Sequence, residues 1–235
     1  MDYGLSSPLR TLPSFLSTIS MVVDDQSAII KSLIHAERKS PPKYAPTRDL
    51  FFRVLKGDLS FSQALKQARL LPDHVQRRCA LEVLEASKDF LRDTPKGVVT
   101  EFPPLQIQIP NQLALDVSPV WLQHRDPKKL LVLHFWRRPL ADRQRSAAAI
   151  ILRKALLQQQ PFFSGCELDF VSVSVPTNSS SRKFRLYDWK GLKPLDERDL
   201  VRFWQPFLEA WSKYQSREPR RFRRRGERDL FDRSH

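Results

Sequence analysis

The sequence predicts an α+β protein, in which an N-terminal helical unit precedes a mixed or antiparallel sheet of about five strands covered by two helices. Three observations lead to this fold class. Apolar residues recur at helical spacing over 47–93, they alternate at every second position after 94, and one continuous apolar segment over 128–158 reads as a strand followed by a long helix. With 235 residues, of which 41% are hydrophobic, the chain can bury a core of this size.

These patterns divide the chain into four parts. We expect a weakly ordered N-terminal segment and linker over 1–46, a helical unit over 47–93, an α+β domain over 94–216 and a basic flexible tail over 217–235. Within the first part, 24–35 carries the apolar spacing of one short helix. Pro41, Pro42 and Pro46 then predict a linker, because proline disfavours helical backbone.

The helical unit is predicted from its capping residues. Thr47 should cap a first helix that ends at Gly57, since glycine is the preferred residue just after a helix. Ser60 and Gln63 have the spacing of a capping box for the second helix. A third helix should begin near Asp73 and continue to about position 93.

The sheet is predicted from alternating or uniformly apolar runs. The expected strands are 105–109, 113–124, 130–136, 166–175 and 184–189. The third of these is apolar on both faces apart from His134, which indicates the middle of the sheet. Pro139 is suited to the first position of the next helix, which should continue to about 157. A last helix over 196–214 contains Pro206.

The charge of the chain narrows its partners. The net charge is +14 and the isoelectric point near 10.2, which favours a polyanion such as nucleic acid. Nine basic and only two acidic residues lie between 121 and 160, so the excess is not confined to the tail. No apolar run is long enough for a membrane helix, and the two cysteines are far apart, so we expect a cytoplasmic protein without a metal or membrane partner.

The point where the central strand meets the long helix is unusually basic. Arg137, Arg138, Arg143 and Arg145 lie there with one acid, Asp142. A helix N-terminus already carries partial positive charge, so a bound anion would relieve the repulsion. Arginine also suits phosphate because it can bind it bidentately. The competing interpretation is that these arginines are solvated or pair with acids elsewhere in the fold.

Other basic and aromatic residues near the predicted sheet extend the candidate anion-binding set. Trp189 is the tryptophan with the most basic neighbours, and its ring could stack on a base. The full candidate set for nucleic-acid or anion binding is Lys128, Lys129, Arg137, Arg138, Arg143, Arg145, Arg185, Trp189 and Lys190.

The order helix, three strands, helix, strand resembles the core of the PD-(D/E)xK nuclease-like superfamily. The resemblance implies a divalent metal, Mg²⁺ or Mn²⁺, held by an acid on the second strand and by a (D/E)xK tripeptide on the third. Asp116 matches the first position, whereas the tripeptides 134–136 and 135–137 contain neither the carboxylate nor the lysine. His134 is a second catalytic candidate. The segment from Leu113 onward also resembles uncharacterised bacterial proteins, a likeness that implies no activity.

Three functions remain open on these grounds. The first is binding of a polyanion, with nucleic acid expected, through the basic strand-to-helix junction and the tail. The second is a divergent metal-dependent nuclease that uses Asp116, and only this alternative requires a metal cofactor. The third is a non-catalytic interaction subunit whose basic surface binds an acidic protein. The sequence offers no serine or cysteine nucleophile with an identifiable histidine and acid partner, so it does not indicate another class of enzyme.

Overall fold

The computed structural model describes residues 13–37, 44–95, 99–103, 105–109, 113–117, 120–123, 128–163, 165–193 and 195–216. Helices form much of this part of the chain. In chain order they are α1 (Phe15–Met21), α2 (Gln26–Glu37), α3 (Ala45–Lys56), α4 (Phe61–Arg69), α5 (His74–Ala86), α6 (Lys88–Asp93), α7 (Asp142–Gln159) and α8 (Glu197–Gln215).

Seven strands are present among the described residues. They are β1 (Val99–Phe102), β2 (Leu105–Ile109), β3 (Leu113–Val117), β4 (Val120–Gln123), β5 (Lys129–His134), β6 (Glu167–Ser174) and β7 (Lys183–Asp188). Five of them form one sheet in the order β1-β4-β5-β6-β7, while β2 and β3 pair as a separate hairpin. Only β5 and β6 run parallel, and α7 connects them as the crossover that such a pair requires.

The sheet separates two apolar cores. Helices α3 to α6 pack on one face, where Phe51 and Leu84 meet Leu133 of β5. Helices α1, α2, α7 and α8 pack on the other face together with the hairpin, and Phe15 and Phe207 are fully buried there. The predicted α+β fold class is therefore confirmed. The helical unit over 47–93 is one layer of this body, packed directly on the sheet.

Strand β5 lies in the centre of the sheet, as its uniformly apolar sequence predicted. Leu131 and Leu133 face the core beneath α3 to α6, and Leu130 and Val132 face the core beneath α7. Each of these side chains is no more than 2% exposed. Because both faces are covered, only the two ends of β5 are positioned to reach solvent.

Residues 13–37 form more regular structure than the weakly ordered segment that the sequence predicted. The predicted helix over 24–35 is confirmed as α2, but α1 precedes it, and both helices contribute buried residues to the core. Helix α3 begins at Ala45, so Pro46 occupies its first turn, where the missing N–H of proline costs nothing. Gly57 has a left-handed φ of 89° and ends α3, as predicted. The Ser60–Gln63 capping box is also confirmed.

Several predicted boundaries are wrong. The third predicted helix is interrupted at Ser87, which separates α5 from α6. The predicted strand over 113–124 is two strands, β3 and β4, that belong to different sheets, and β1 was not predicted. Helix α7 begins at Asp142 rather than Pro139, so Arg137 and Arg138 lie in the connecting loop. The predicted basic tail over 217–235 lies outside the described residues.

Candidate functional site: the basic junction and its cleft

The loop between β5 and α7 is held by hydrogen bonds on both sides. The backbone oxygen of Arg137 accepts from the N–H of Val175, 2.8 Å away, which continues the β5–β6 pairing past the end of β5. Gln144 accepts from the N–H of Ala141 at 2.9 Å and donates to two carbonyl oxygens of the α1–α2 segment, those of Ser20 and Val22. The junction is therefore fixed against both the sheet and the N-terminal helices.

The four arginines of the junction do not share one role. Arg145 is only 11% exposed, donates to the carbonyl oxygen of Leu140 and to Asp142, and places its guanidinium 4.0 Å from the ring centroid of Tyr187. These contacts commit Arg145 to the fold. By contrast, Arg137, Arg138 and Arg143 are exposed and make no ion pair with any acid among the residues that the structure describes. The predicted cluster thus reduces to three available cations.

An open cleft of about 970 Å³ lies beside these arginines. The junction and the start of α7 form one wall, and α1 and α2 form the other. Its charged lining residues are Arg138, Arg143, Lys31 and Asp24, so three cations face one acid. His35 and the half-buried Trp136 also line the cleft. Ala141 precedes α7 and has no side chain that could cap it, so the first amide groups of the helix add to the positive potential.

Sequence reasoning missed Lys31 because more than a hundred residues separate it from the junction. Its helix α2 packs mainly against α8, and residues of α2 and of the start of α7 line the same cleft. The sequence did indicate Trp136, since it lies at the end of the predicted central strand and precedes the arginine pair. A side chain that follows a strand buried on both faces lies at the end of that strand, where the sheet meets solvent.

Two of the three lysines of the predicted anion-binding set, Lys129 and Lys190, lie at the opposite end of β5 and pair with carboxylates there. Lys129 contacts Asp169 at 3.1 Å and Glu167 at 3.3 Å, and Lys190 contacts Glu167 as well. The hydrogen bonds to Asp169 and Glu167 outweigh partial burial and raise the pKa of Lys129. Burial raises the pKa of Asp169, which is 3% exposed. Lys129, Lys190, Glu167 and Asp169 therefore form an ion-pair network in which each cation is already paired with a carboxylate of the same chain.

The length of β5 also separates the predicted anion-binding residues into different sites. The six-residue strand β5 spans about 20 Å, so Lys128 and Lys129 at its start cannot share a site with Arg137 beyond its end. Lys128 lies over the ring of Phe162, 5.0 Å from its centroid. Trp189 is also unsuited to base stacking on one side, since Arg153 lies 4.4 Å from its ring centroid.

Arg185 of β7 is exposed and contacts the Tyr187 hydroxyl at 3.5 Å. In β7 it lies directly opposite Ser172 of β6, whereas Lys190 follows the other end of the strand. Arg185 therefore remains a solvent-exposed cation whose partner, Tyr187, also contacts Arg145 through its ring.

His134 is a core residue by its surroundings. It is 2% exposed, its Nδ1 lies 3.3 Å from the Ser172 hydroxyl, and its Nε2 finds no hydrogen-bond partner within the described part of the chain. Burial, with the nearby positive charges of Arg182, Arg145 and Arg48, lowers the pKa of His134 to about 3. A neutral, enclosed imidazole of this kind is poorly suited to general acid–base chemistry near neutral pH.

Asp116 is exposed on β3 and pairs across the hairpin with Gln106, outside the five-stranded sheet. The second and third strands of that sheet are β4 and β5, and neither contains an acidic residue. Among the described residues, no group of three or more His, Cys, Asp or Glu side chains is arranged to hold a metal ion. The resemblance to the PD-(D/E)xK superfamily stays a prediction, without the carboxylates that its chemistry requires.

No protein-family model matches this chain, and a search of curated protein sequences found no significant match. None of the helices in the described part of the chain has both the length and the apolar character needed to cross a bilayer.

Proposed function

We propose that this protein binds a polyanion, with nucleic acid as the natural ligand, through the exposed arginines of the β5–α7 junction. One observation carries the proposal: Arg137, Arg138 and Arg143 are exposed and without an acidic partner in the described structure, at the start of a helix and beside an open cleft. The proposal includes the cytoplasmic location expected from the sequence.

This concentration of positive charge costs free energy in the absence of an anion. Arg143 lies in the first turn of α7, where the helix dipole repels a cation by about 0.3–1 kcal/mol. Elsewhere in the fold, cations such as Lys129, Arg182 and Lys190 are matched by carboxylates. A phosphate at the junction would accept from guanidinium groups and remove the repulsion.

Charge reversal with a matched control tests the proposal. Arg137→Glu with Arg138→Glu should weaken binding of a fluorescein-labelled oligonucleotide at least ~10-fold at ~50 mM salt, since phosphate contacts dominate under that condition. Both side chains are exposed in a loop, so thermal unfolding should be nearly unchanged. The control, Lys66→Glu with Arg69→Glu, makes the same change of charge on exposed positions of α4, across the sheet.

Equal losses in the two double variants would mean that only the total charge matters, which contradicts a site at the junction. Unchanged binding in the Arg137/Arg138 variant would contradict it as well. A copurifying acidic protein, with no affinity for oligonucleotides at ~50 mM salt, would favour the interaction-subunit alternative instead.

A further inference from the structure

The concave cleft beside the junction favours one form of nucleic acid over the other. Its volume of about 970 Å³ falls at the upper end of the range for pockets that hold small molecules. It is concave, with the α1–α2 wall opposite the start of α7. A double helix presents its phosphates on a convex surface and keeps the faces of its bases stacked inside. An unpaired strand can insert its bases into such a cleft.

Trp136 lies at this cleft in a fixed orientation. Its ring packs edge-to-face on His134, with the centroids 5.0 Å apart and the planes at 78°. The side chain is half-buried and lines the cleft, so part of the indole remains available. An aromatic ring that is already held by packing loses little conformational entropy when a base stacks on it.

Three cations line the same cleft as this ring, and their positive charge suits a sugar–phosphate backbone. Arg138 and Arg143 line the same wall as Trp136, and Lys31 lines the opposite wall. Arg143 also lies over Phe203, 5.9 Å from the ring centroid, which restrains its guanidinium. Asp24 is the one acid among the described lining residues, and His35 lies on the same side as Lys31.

We propose that the cleft binds single-stranded nucleic acid, with an unpaired base stacked on Trp136 and the neighbouring phosphates on Arg138 and Arg143. This inference rests on the proposed function and specifies it, because it names the form of nucleic acid. Stacking on an aromatic face is tolerant of sequence, so the expected preference is for unpaired strands in general.

The test compares single and double strands on the full-length protein. Fluorescence anisotropy would be measured with labelled oligothymidylate and oligouridylate of about 12 nucleotides and with a duplex of the same length. Trp136→Leu should weaken single-strand binding roughly 5- to 150-fold, the range for losing one stacked base, and should leave duplex binding unchanged. Trp136→Phe keeps an aromatic face and should retain most of the affinity.

Trp189→Leu is the matched control, since it removes another half-buried tryptophan that is not among the described lining residues of the cleft and that carries Arg153 on one face of its ring. It should bind single strands as the wild type does. A second measurement does not depend on the stability of the leucine variant. Addition of oligothymidylate should quench the tryptophan emission of the wild type, and Trp136→Phe should lose that quenching.

Each outcome has a defined meaning. Equal affinity for single and double strands, together with unchanged single-strand affinity in Trp136→Leu, would overturn this inference and leave polyanion binding intact. Quenching that persists in Trp136→Phe would overturn it too, as would competition by polyglutamate as strong as that by oligothymidylate. Absence of binding to every oligonucleotide at ~50 mM salt would overturn both this inference and the proposed function. Selective binding of oligothymidylate or of oligouridylate would support the inference and distinguish DNA from RNA.

Discussion

Acid should destabilise this fold through His134, the buried imidazole at the end of the central strand. In the unfolded chain a histidine has an ordinary pKa of 6.5, whereas burial and three nearby arginines lower the pKa of His134 to about 3. Below about pH 6.5 the unfolded state therefore binds a proton at His134, whereas the folded state binds it only below about pH 3. It follows that folding stability is lost as the pH falls through this window.

The magnitude follows from the width of the window. Each pH unit below 6.5 costs up to about 1.4 kcal/mol of folding free energy, so about 2 kcal/mol should be lost by about pH 5 from this group alone. His134→Leu removes the titrating group from an apolar strand face. Ser172 keeps the Ser174 hydroxyl as a neighbour at 3.3 Å.

The assay is urea denaturation at about pH 7 and about pH 5 for the wild type, His134→Leu and His74→Gln. The difference in unfolding free energy between the two pH values should be about 2 kcal/mol smaller in His134→Leu than in the wild type. His74 is exposed at the start of α5 and serves as the control position, because replacing it leaves the buried imidazole of His134 in place. Identical pH dependence in the wild type and His134→Leu would refute the reasoning, because all other titrating groups are common to both.

Two further predictions concern the buried ion pairs. Arg182→Met should cost about 2–4 kcal/mol in urea denaturation, because it removes the donor to two backbone carbonyls and leaves Glu82 only its longer contact with Arg78. Lys154→Met, in an exposed pair, should cost much less, and equal effects in the two variants would contradict this account. Lys129→Met should lower the free energy of unfolding by about 1–3 kcal/mol near pH 7 and by less in acid, because burial already raises the pKa of Asp169 and its protonated form needs no cation. Adding Asp169→Asn should restore much of the lost stability. A loss that is independent of pH would count against this reasoning.

The elements that depend on local sequence were predictable. Gly57 and the Ser60–Gln63 pair determine helix ends through contacts within a few residues, so their positions could be predicted from spacing alone. The central position of β5 was predictable because a strand that is apolar on both faces must be covered on both faces. The exposed junction with Arg137 and Arg138 follows from the same argument.

What could not be predicted depends on distant parts of the chain. The alternation that identifies β3 and β4 as strands does not specify their partners. The sequence therefore could not show that β3 pairs in a separate hairpin while β4 joins the five-stranded sheet. The carboxylates that neutralise Lys129 come from β6, which pairs with β5 only after the crossover through α7. The cleft required α2 to pack opposite the junction, and no local pattern encodes that contact.

The most direct test of polyanion binding at the junction is the salt dependence of oligonucleotide affinity in the wild type and in Arg137→Gln with Arg138→Gln. Each phosphate contact contributes about 0.7–0.9 to the slope of log Kd against log salt concentration, because binding releases counterions. Loss of two contacts should therefore reduce the slope by about 1.4–1.8. An unchanged slope in the double variant would contradict the assignment of the binding site to the β5–α7 junction.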